Sequence, residues 1–475
     1  MRVRFAIVAL ILSLGASRRA EAHEGLKKST PASGEVVTTR LKEIRLEFTE
    51  KPELAFTSLR LVGPDSATIS LGRETIVGNS IVVPLMSSLA AGSYTLRWKT
   101  AGKDGHPASG NLRFSVAAAA APILSTTDSA LIESRVGAPA TGMHHDPSSM
   151  PAGGAFDSQS VGYIVLRWLQ YVAVLTLVGA FAFAHVVIAF LRRRNHDSQL
   201  VAPMRTRAER AVIVSACALM LIAVLRLIAQ SYAMHGENQS VLTAMWPMIT
   251  GTTWGIAWLL QLLGAAFVLA VFLSRRLPSE ARWLFGVAGL LAVIISLPLS
   301  GHAASAPHLK SLAVASDSVH IIGAGGWLGS LLMVLTVGIP VAMRLEPDDR
   351  NTAIASVVNA FSPTALIFAS TAGLTGLFAA WLHIGSIRAI VGTAYGRTLL
   401  LKLGVLSIVV LTGAYNWLRI KPSLGKVEAT KRLRFSATLE LCVALVVIAV
   451  TAVLVATPTA IDEEMMRTPT SSPPR

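Results

Sequence analysis

Eight apolar stretches dominate the second two thirds of the chain, near residues 161–191, 211–232, 252–273, 282–300, 318–343, 363–385, 398–418 and 436–457. At about 1.5 Å of rise per residue, a helix needs about 20 such residues to cross a hydrocarbon layer about 30 Å thick. Each stretch meets that length, so the spacing predicts an all-α bundle of eight transmembrane helices. Composition agrees: 52% of the 475 residues are hydrophobic and only 15% are charged, too apolar for an ordinary soluble enzyme. The formal net charge of +15 does not mark a nucleic-acid partner, because Lys and Arg gather in short clusters between the apolar stretches. That distribution fits a protein whose surroundings are membrane lipid.

Charge in the connections sets an orientation, since Lys and Arg are retained on the cytoplasmic side. The first connection carries Arg192, Arg193, Arg194, Arg205, Arg207 and Arg210, the third Arg275, Arg276 and Arg282, and the seventh Arg419, Lys421, Lys426, Lys431, Arg432 and Arg434. The second connection has neither residue type, the fourth has only Lys310, and the sixth has Arg388 and Arg397. The fifth offsets Arg344 and Arg350 with Glu346, Asp348 and Asp349. The odd-numbered connections are therefore expected in the cytoplasm, with both chain ends outside a bacterial inner membrane.

The amino-terminal part reads differently. Residues 1–22 have the parts of a secretory signal: Arg2 and Arg4, an apolar core from Phe5 to Leu14, and the small-x-small box Ala20-Glu21-Ala22. Cleavage there leaves His23 at the mature amino terminus; a competing box at Leu14-Gly15-Ala16 would leave Ser17. From 23 to 116 short alternating runs such as "EIRLEFTE", "SIVVPL" and "GSYTLRWKT" are separated by Gly, Pro and Asn, which predicts a small all-β, Greek-key, immunoglobulin-like sandwich or barrel. Residues 117–160 are rich in Ala, Ser, Thr, Pro and Gly and read as a flexible linker, the membrane part runs from 161 to 460, and 461–475 reads as a disordered tail. Cys217 and Cys442 both lie in apolar runs, so neither a disulfide framework nor a CxxC site is expected.

Metal chemistry must then use other donors. The β segment contains two histidines, His23 and His106, the second in "KDGHPASG" beside Asp104. A terminal histidine chelates through its amine and its ring; a second imidazole completes the tetragonal N-rich set that Cu(II) prefers. Asp104 and His106, two apart, share a face if extended. The bland reading is a turn with a surface histidine, and spacing alone leaves both open.

His23, "LKKSTPASGEVV" and "SYTLRWKTAGKDGHPASGNLRFSV" together resemble the CopC family of exported copper-binding proteins over residues 23 to 116. The resemblance implies that mature His23, Asp104 and His106 form a Cu(II) site. The domain has only Met86, which argues against the methionine-rich Cu(I) site of some members. The membrane part resembles CopD, the inner-membrane partner, through "SGHAASAPH", "DSVHIIGAGGWLGSLL", "TAYGRTLLLKLGVLSIVVLTGAYNWLRI" and "LELCVALVVIAVTAVLVATPTA". It is best over the last four spans.

On the expected topology His235, His302, His308, His320 and His383 gather at the outward face, with Met234, Met245 and Met248 near the first. They are candidates for a metal path, or plain interfacial residues that meet headgroups. Arg226, Glu440 and His185 fall within spans, and Arg226 and Glu440 are functional candidates because intramembrane charge is costly. The linker string "MHHDPSSM", with His144 and His145, is a shuttle candidate or a tract without role. "GAGGWLG" lacks the Lys-Ser/Thr ending of a phosphate loop and lies inside a span.

The reading that gathers these features is a non-enzymatic copper homeostasis protein: Cu(II) taken by the β domain, passed to the membrane part and moved inward, with periplasmic copper carriers as further partners and no haem expected. The alternatives are a membrane haem or copper oxidoreductase, and a copper sensor or scaffold without transport.

Overall fold

The computed structural model describes residues 26–103, 105, 107–117, 160–194, 198–235, 241–305, 309–423, 427–457 and 459–461. The signal segment, His23, Asp104, His106, His144, His145, His308 and the tail lie outside the described residues.

The alternating runs form nine strands among the described residues: β1 Leu26–Thr30, β2 Val36–Val37, β3 Glu43–Phe48, β4 Ser58–Val62, β5 Thr68–Ile69, β6 Thr75–Val77, β7 Ser80–Pro84, β8 Gly92–Ala101 and β9 Pro107–Val116. They make two sheets, ordered β1-β3-β7-β6 and β2-β9-β8-β4-β5. Period-two alternation turns Ile44, Leu46 and Phe48 of β3 inward, against Leu96, Trp98, Leu112 and Phe114 of the facing sheet. The Phe48 ring meets Trp98 edge-on at 5.2 Å between centroids, so the sandwich core is closed by aromatic contact. Strands β8 and β9 pair from Gly92↔Val116 to Ala101↔Pro107, which leaves a tight connection at 102–106. There Gly105 takes φ +73°, a left-handed conformation that favours glycine.

Eight helices are long and apolar enough to cross a membrane: α1 Val161–Arg193, α2 Gln199–Met234, α3 Thr253–Leu273, α4 Ser279–Leu299, α5 Lys310–Ala342, α6 Asp349–Ile384, α7 Ala394–Ser423 and α8 Glu428–Leu454. Several begin well before the apolar stretch that marks them: α2 starts at 199 against an expected 211, and α6 at 349 against 363. Hydropathy registers only the lipid-facing length, while these helices project beyond it on charged turns. At that end Arg192 and Arg205 each reach Glu280 Oε1 at 2.7 Å, and Arg282 reaches Glu209 Oε2 at 3.3 Å, tying the first connection to the third.

Helices α1 and α5 cross at the centre of the bundle. Gly179 and Gly329 face each other so closely that a methyl at 329 would run into the Leu175 carbonyl oxygen. The "GAGGWLG" run is thus a close-packing seam: a Cβ at Gly325 would meet Val178 of α1, and one at Gly326 would meet Phe368 of α6. Buried polar pairs lock further neighbours, Gln170 Nε2 donating to Gln261 Oε1 at 2.7 Å between α1 and α3.

Candidate metal-handling interface

The β domain rests on the membrane bundle through the β8–β9 turn. Gln230 of α2 donates from Nε2 to the Gly105 carbonyl at 2.7 Å, and Tyr163 of α1 donates its hydroxyl to Gln230 Oε1 at 2.8 Å. The indole of Trp254, at the start of α3, lies flush under Gly105, where a Cβ would come within 2.7 Å of its Cδ1. Phe56 and Ala101 of the β domain are fully buried in one cluster with Ala223, Leu227, Met234, Met248, Trp254 and Trp258. Glu53 Oε1 accepts from the Thr253 backbone N–H and hydroxyl, both at 3.4 Å, placing a carboxylate at the positive end of α3. The sequence cue for this seat is "AMWPMITGTTWGIAW", whose aromatics read as ordinary interfacial belt residues until the turn is set on them.

Asp104 and His106 flank Gly105, so the predicted donor pair belongs to a turn whose central carbonyl is held by the membrane bundle. Neither their side chains nor that of His235, next after Met234, are among those described.

Two of the remaining candidate histidines come together. His302, in the short helix His302–Ser305 after α4, and His383, at the end of α6, have ring centroids 6.0 Å apart. Tyr395, near the start of α7, completes a triangle, 6.4 Å from His302 and 6.5 Å from His383. His383 and Tyr395 are buried. All three lie at the end of the bundle that carries the β domain.

His320 is placed separately, on the seam between α5 and α6. Its Nδ1 lies 2.9 Å from the Ala372 carbonyl oxygen and 3.1 Å from the Thr375 hydroxyl. A carbonyl only accepts, so Nδ1 carries the hydrogen and a neutral ring presents Nε2 as a lone pair. That is how proteins orient a metal-ligating imidazole. Among the described residues no group of three or more His, Cys, Asp and Glu could hold a metal ion, so each of these positions offers a partial ligand set.

Asp317 of α5 and Lys402 of α7 are in electrostatic range of each other, and Asp317 is also in range of Tyr395 and of Tyr171 on α1. At about 1.5 Å per residue, Asp317 lies about 10 Å and Lys402 about 12 Å in from the starts of their helices, at matching depth. Sequence reasoning passed over both. The signal was present, since a lysine inside "TLLLKLGVL" is an ionisable group in an apolar run.

The other intramembrane candidates find local partners. Arg226 lies with its guanidinium 5.7 Å from the Trp254 ring centroid, which ties it to the turn's seat. Glu440 accepts from Asn416 Nδ2 at 3.0 Å. His185 stacks on Phe181, meets Trp283 edge-on and places Nδ1 2.9 Å from the Phe181 carbonyl oxygen, a packed aromatic box. Cys217 and Cys442 are free thiols.

A small β sandwich seated by one turn on an eight-helix bundle defines a membrane protein with a soluble domain held against one face of the spans. Residues 26–117 match the CopC domain family, 157–311 the N-terminal domain of copper resistance protein D-like proteins, and 355–454 the copper resistance protein D family. The chain is 24% identical over 434 residues to the copper transport protein CutJ of Bacillus subtilis strain 168, covering 88% of this chain and 72% of the relative. It is 23% identical over 304 residues to copper resistance protein D of Pseudomonas syringae pv. tomato, covering 60% and 93%. It is 32% identical over 117 residues to Protein YobA of Escherichia coli K12, covering 24% and 94%. The chain belongs to the copper resistance and transport family in which a CopC domain is joined to a CopD domain.

Proposed function

We propose that this protein captures Cu(II) on the β domain and passes copper through the membrane bundle into the cytoplasm. His23, freed as the mature amino terminus, supplies an amine and an imidazole; Asp104 and His106 complete the set from the β8–β9 turn. The single observation that carries the reading is the seating of that turn: the Gly105 carbonyl, between the two proposed donors in sequence, is bonded to Gln230, which supports delivery of captured metal at the bundle. His302 and His383, with Tyr395 beside them, are the next donors at the same end. His320, with Nε2 free of its backbone bond, lies deeper. The basic first, third and seventh connections support a periplasmic β domain under the positive-inside rule, and the relative named a copper transport protein supports movement of the metal.

The test combines amino-terminal sequencing of the mature chain with Cu(II) titration of wild type and His106→Ala. The expected result is a mature chain beginning at His23 and a substitution that weakens Cu(II) binding by more than about 100-fold, beyond the roughly 10–100-fold cost of losing an outer hydrogen-bond partner. A chain beginning at Ser17, or unchanged affinity in the variant, contradicts the proposed site.

A further inference from the structure

The seat of the β8–β9 turn holds a second kind of donor. Met234, in the last turn of α2, is 1% exposed, and Met248, in the short helix Val241–Gly251, is fully buried. They come from different helices yet share the cluster that contains Trp254 and the β-domain residues Phe56 and Ala101. Two contacts fix them relative to the turn. The Ser231 hydroxyl lies 3.6 Å from Met248 Sδ, and Ser231 stands three residues before Met234. Gln230, which holds the Gly105 carbonyl at 2.7 Å, stands four residues before Met234. Ser231 and Met234, three apart, share a face of α2 at about 5–6 Å, so Met234 and the Met248 sulfur lie at the same turn of that helix.

Thioethers are neutral, polarisable donors that select monovalent copper over Cu(II), whereas the amine and imidazole proposed from His23 and the carboxylate and imidazole proposed from the β8–β9 turn suit the divalent ion. On that reading the interface serves two donor sets of opposite softness. The Glu53 carboxylate sits at the start of α3, next to Trp254 of the cluster. Arg226, the positive charge nearest along α2, is already directed over the Trp254 ring.

We propose that Met234 and Met248 form a thioether site for a soft monovalent metal ion, Cu(I), on the membrane side of this interface. The proposal rests on the reading that the interface handles copper, and it assigns that interface a ligand preference the β domain does not have.

Ag(I) is a redox-inert probe of such a site. The full chain in detergent, with the free thiols removed as Cys217→Ala/Cys442→Ala so that sulfur ligation reports thioethers, is titrated with Ag(I) against a chromophoric competitor, with the native methionines (hereafter wild type) and as the Met234→Leu/Met248→Leu double variant. Leucine keeps the volume and apolarity of the cluster, which core substitutions of this kind tolerate. Wild type is expected to bind Ag(I) with sulfur ligation by X-ray absorption, and the double variant to lose this component with a fall in affinity beyond about 100-fold. Wild-type Ag(I) affinity in the double variant, or ligation by nitrogen and oxygen alone, overturns the site. Cu(II) titration of the same preparations separates the two proposals: a chain that takes Ag(I) through sulfur but no Cu(II) upholds this site and contradicts capture at the turn.

Discussion

Where α1, α2 and α3 receive the β domain, polar atoms serve to hold and align: Tyr163 bonds Gln230, Gln230 bonds the turn, and Arg226 is laid over Trp254. Around α5, α6 and α7 the polar groups are imidazoles, a phenol and charged side chains: His383, Tyr395, His320, Asp317 and Lys402, with His302 beside them from the short helix after α4. The first region resembles a protein–protein contact built into one chain, with an aromatic anchor and directed hydrogen bonds. The second is what a bilayer ordinarily excludes, because charge at depth is costly unless it serves ions or is paired. The contrast divides the bundle: the first half seats the soluble domain, and the second half gathers imidazoles and ionisable side chains.

The sharpest way to break this division is at the charges. Asp317→Asn removes the negative charge in electrostatic range of Lys402, and is expected to lower the thermal stability of the chain. The Asp317→Asn/Lys402→Met double variant should recover most of that loss in thermal unfolding of the detergent-solubilised protein. If the single and double variants are equally destabilised, the two residues are not partners.

The docking region is tested more gently. Gly105→Ala adds a Cβ within 2.7 Å of Trp254 Cδ1 at a residue with φ +73°, and a left-handed alanine costs about 1–2 kcal/mol. The β domain is expected to lift from its seat, seen as faster amide hydrogen exchange around Gln230 while α5 to α7 stay protected. Exchange that rises equally in both halves would show that the halves are not separable.

Much of this was legible in the sequence, though unevenly. The alternation of "EIRLEF" gave the inward face of β3, and eight apolar stretches gave eight spans, because burial and lipid contact both leave a periodic or continuous apolar record. His302 and His383 were singled out as outward histidines, but 81 positions separate them, and only the return of α6 to the β-domain end brings their rings to 6.0 Å. The seat of the turn was not legible at all. Gln230, Trp254 and Met248 are unremarkable residues until the sandwich is set on them, and contact between separately folded parts leaves no period in a sequence. Asp317 and Lys402 were missed for a different reason: one charged residue hardly lowers the hydropathy of a 20-residue window, although its rarity there is the stronger signal.

The central claim is that metal taken at the β8–β9 turn passes to the imidazoles of the second half and across the bilayer. Copper accumulation by sealed vesicles carrying the full chain, with the β domain on the outside, tests it most directly. Wild type is expected to accumulate copper, with His106→Ala and His302→Ala/His383→Ala each removing most of the uptake. Vesicles of wild type that take up no more copper than empty ones, or variants that transport at the wild-type rate, would contradict it.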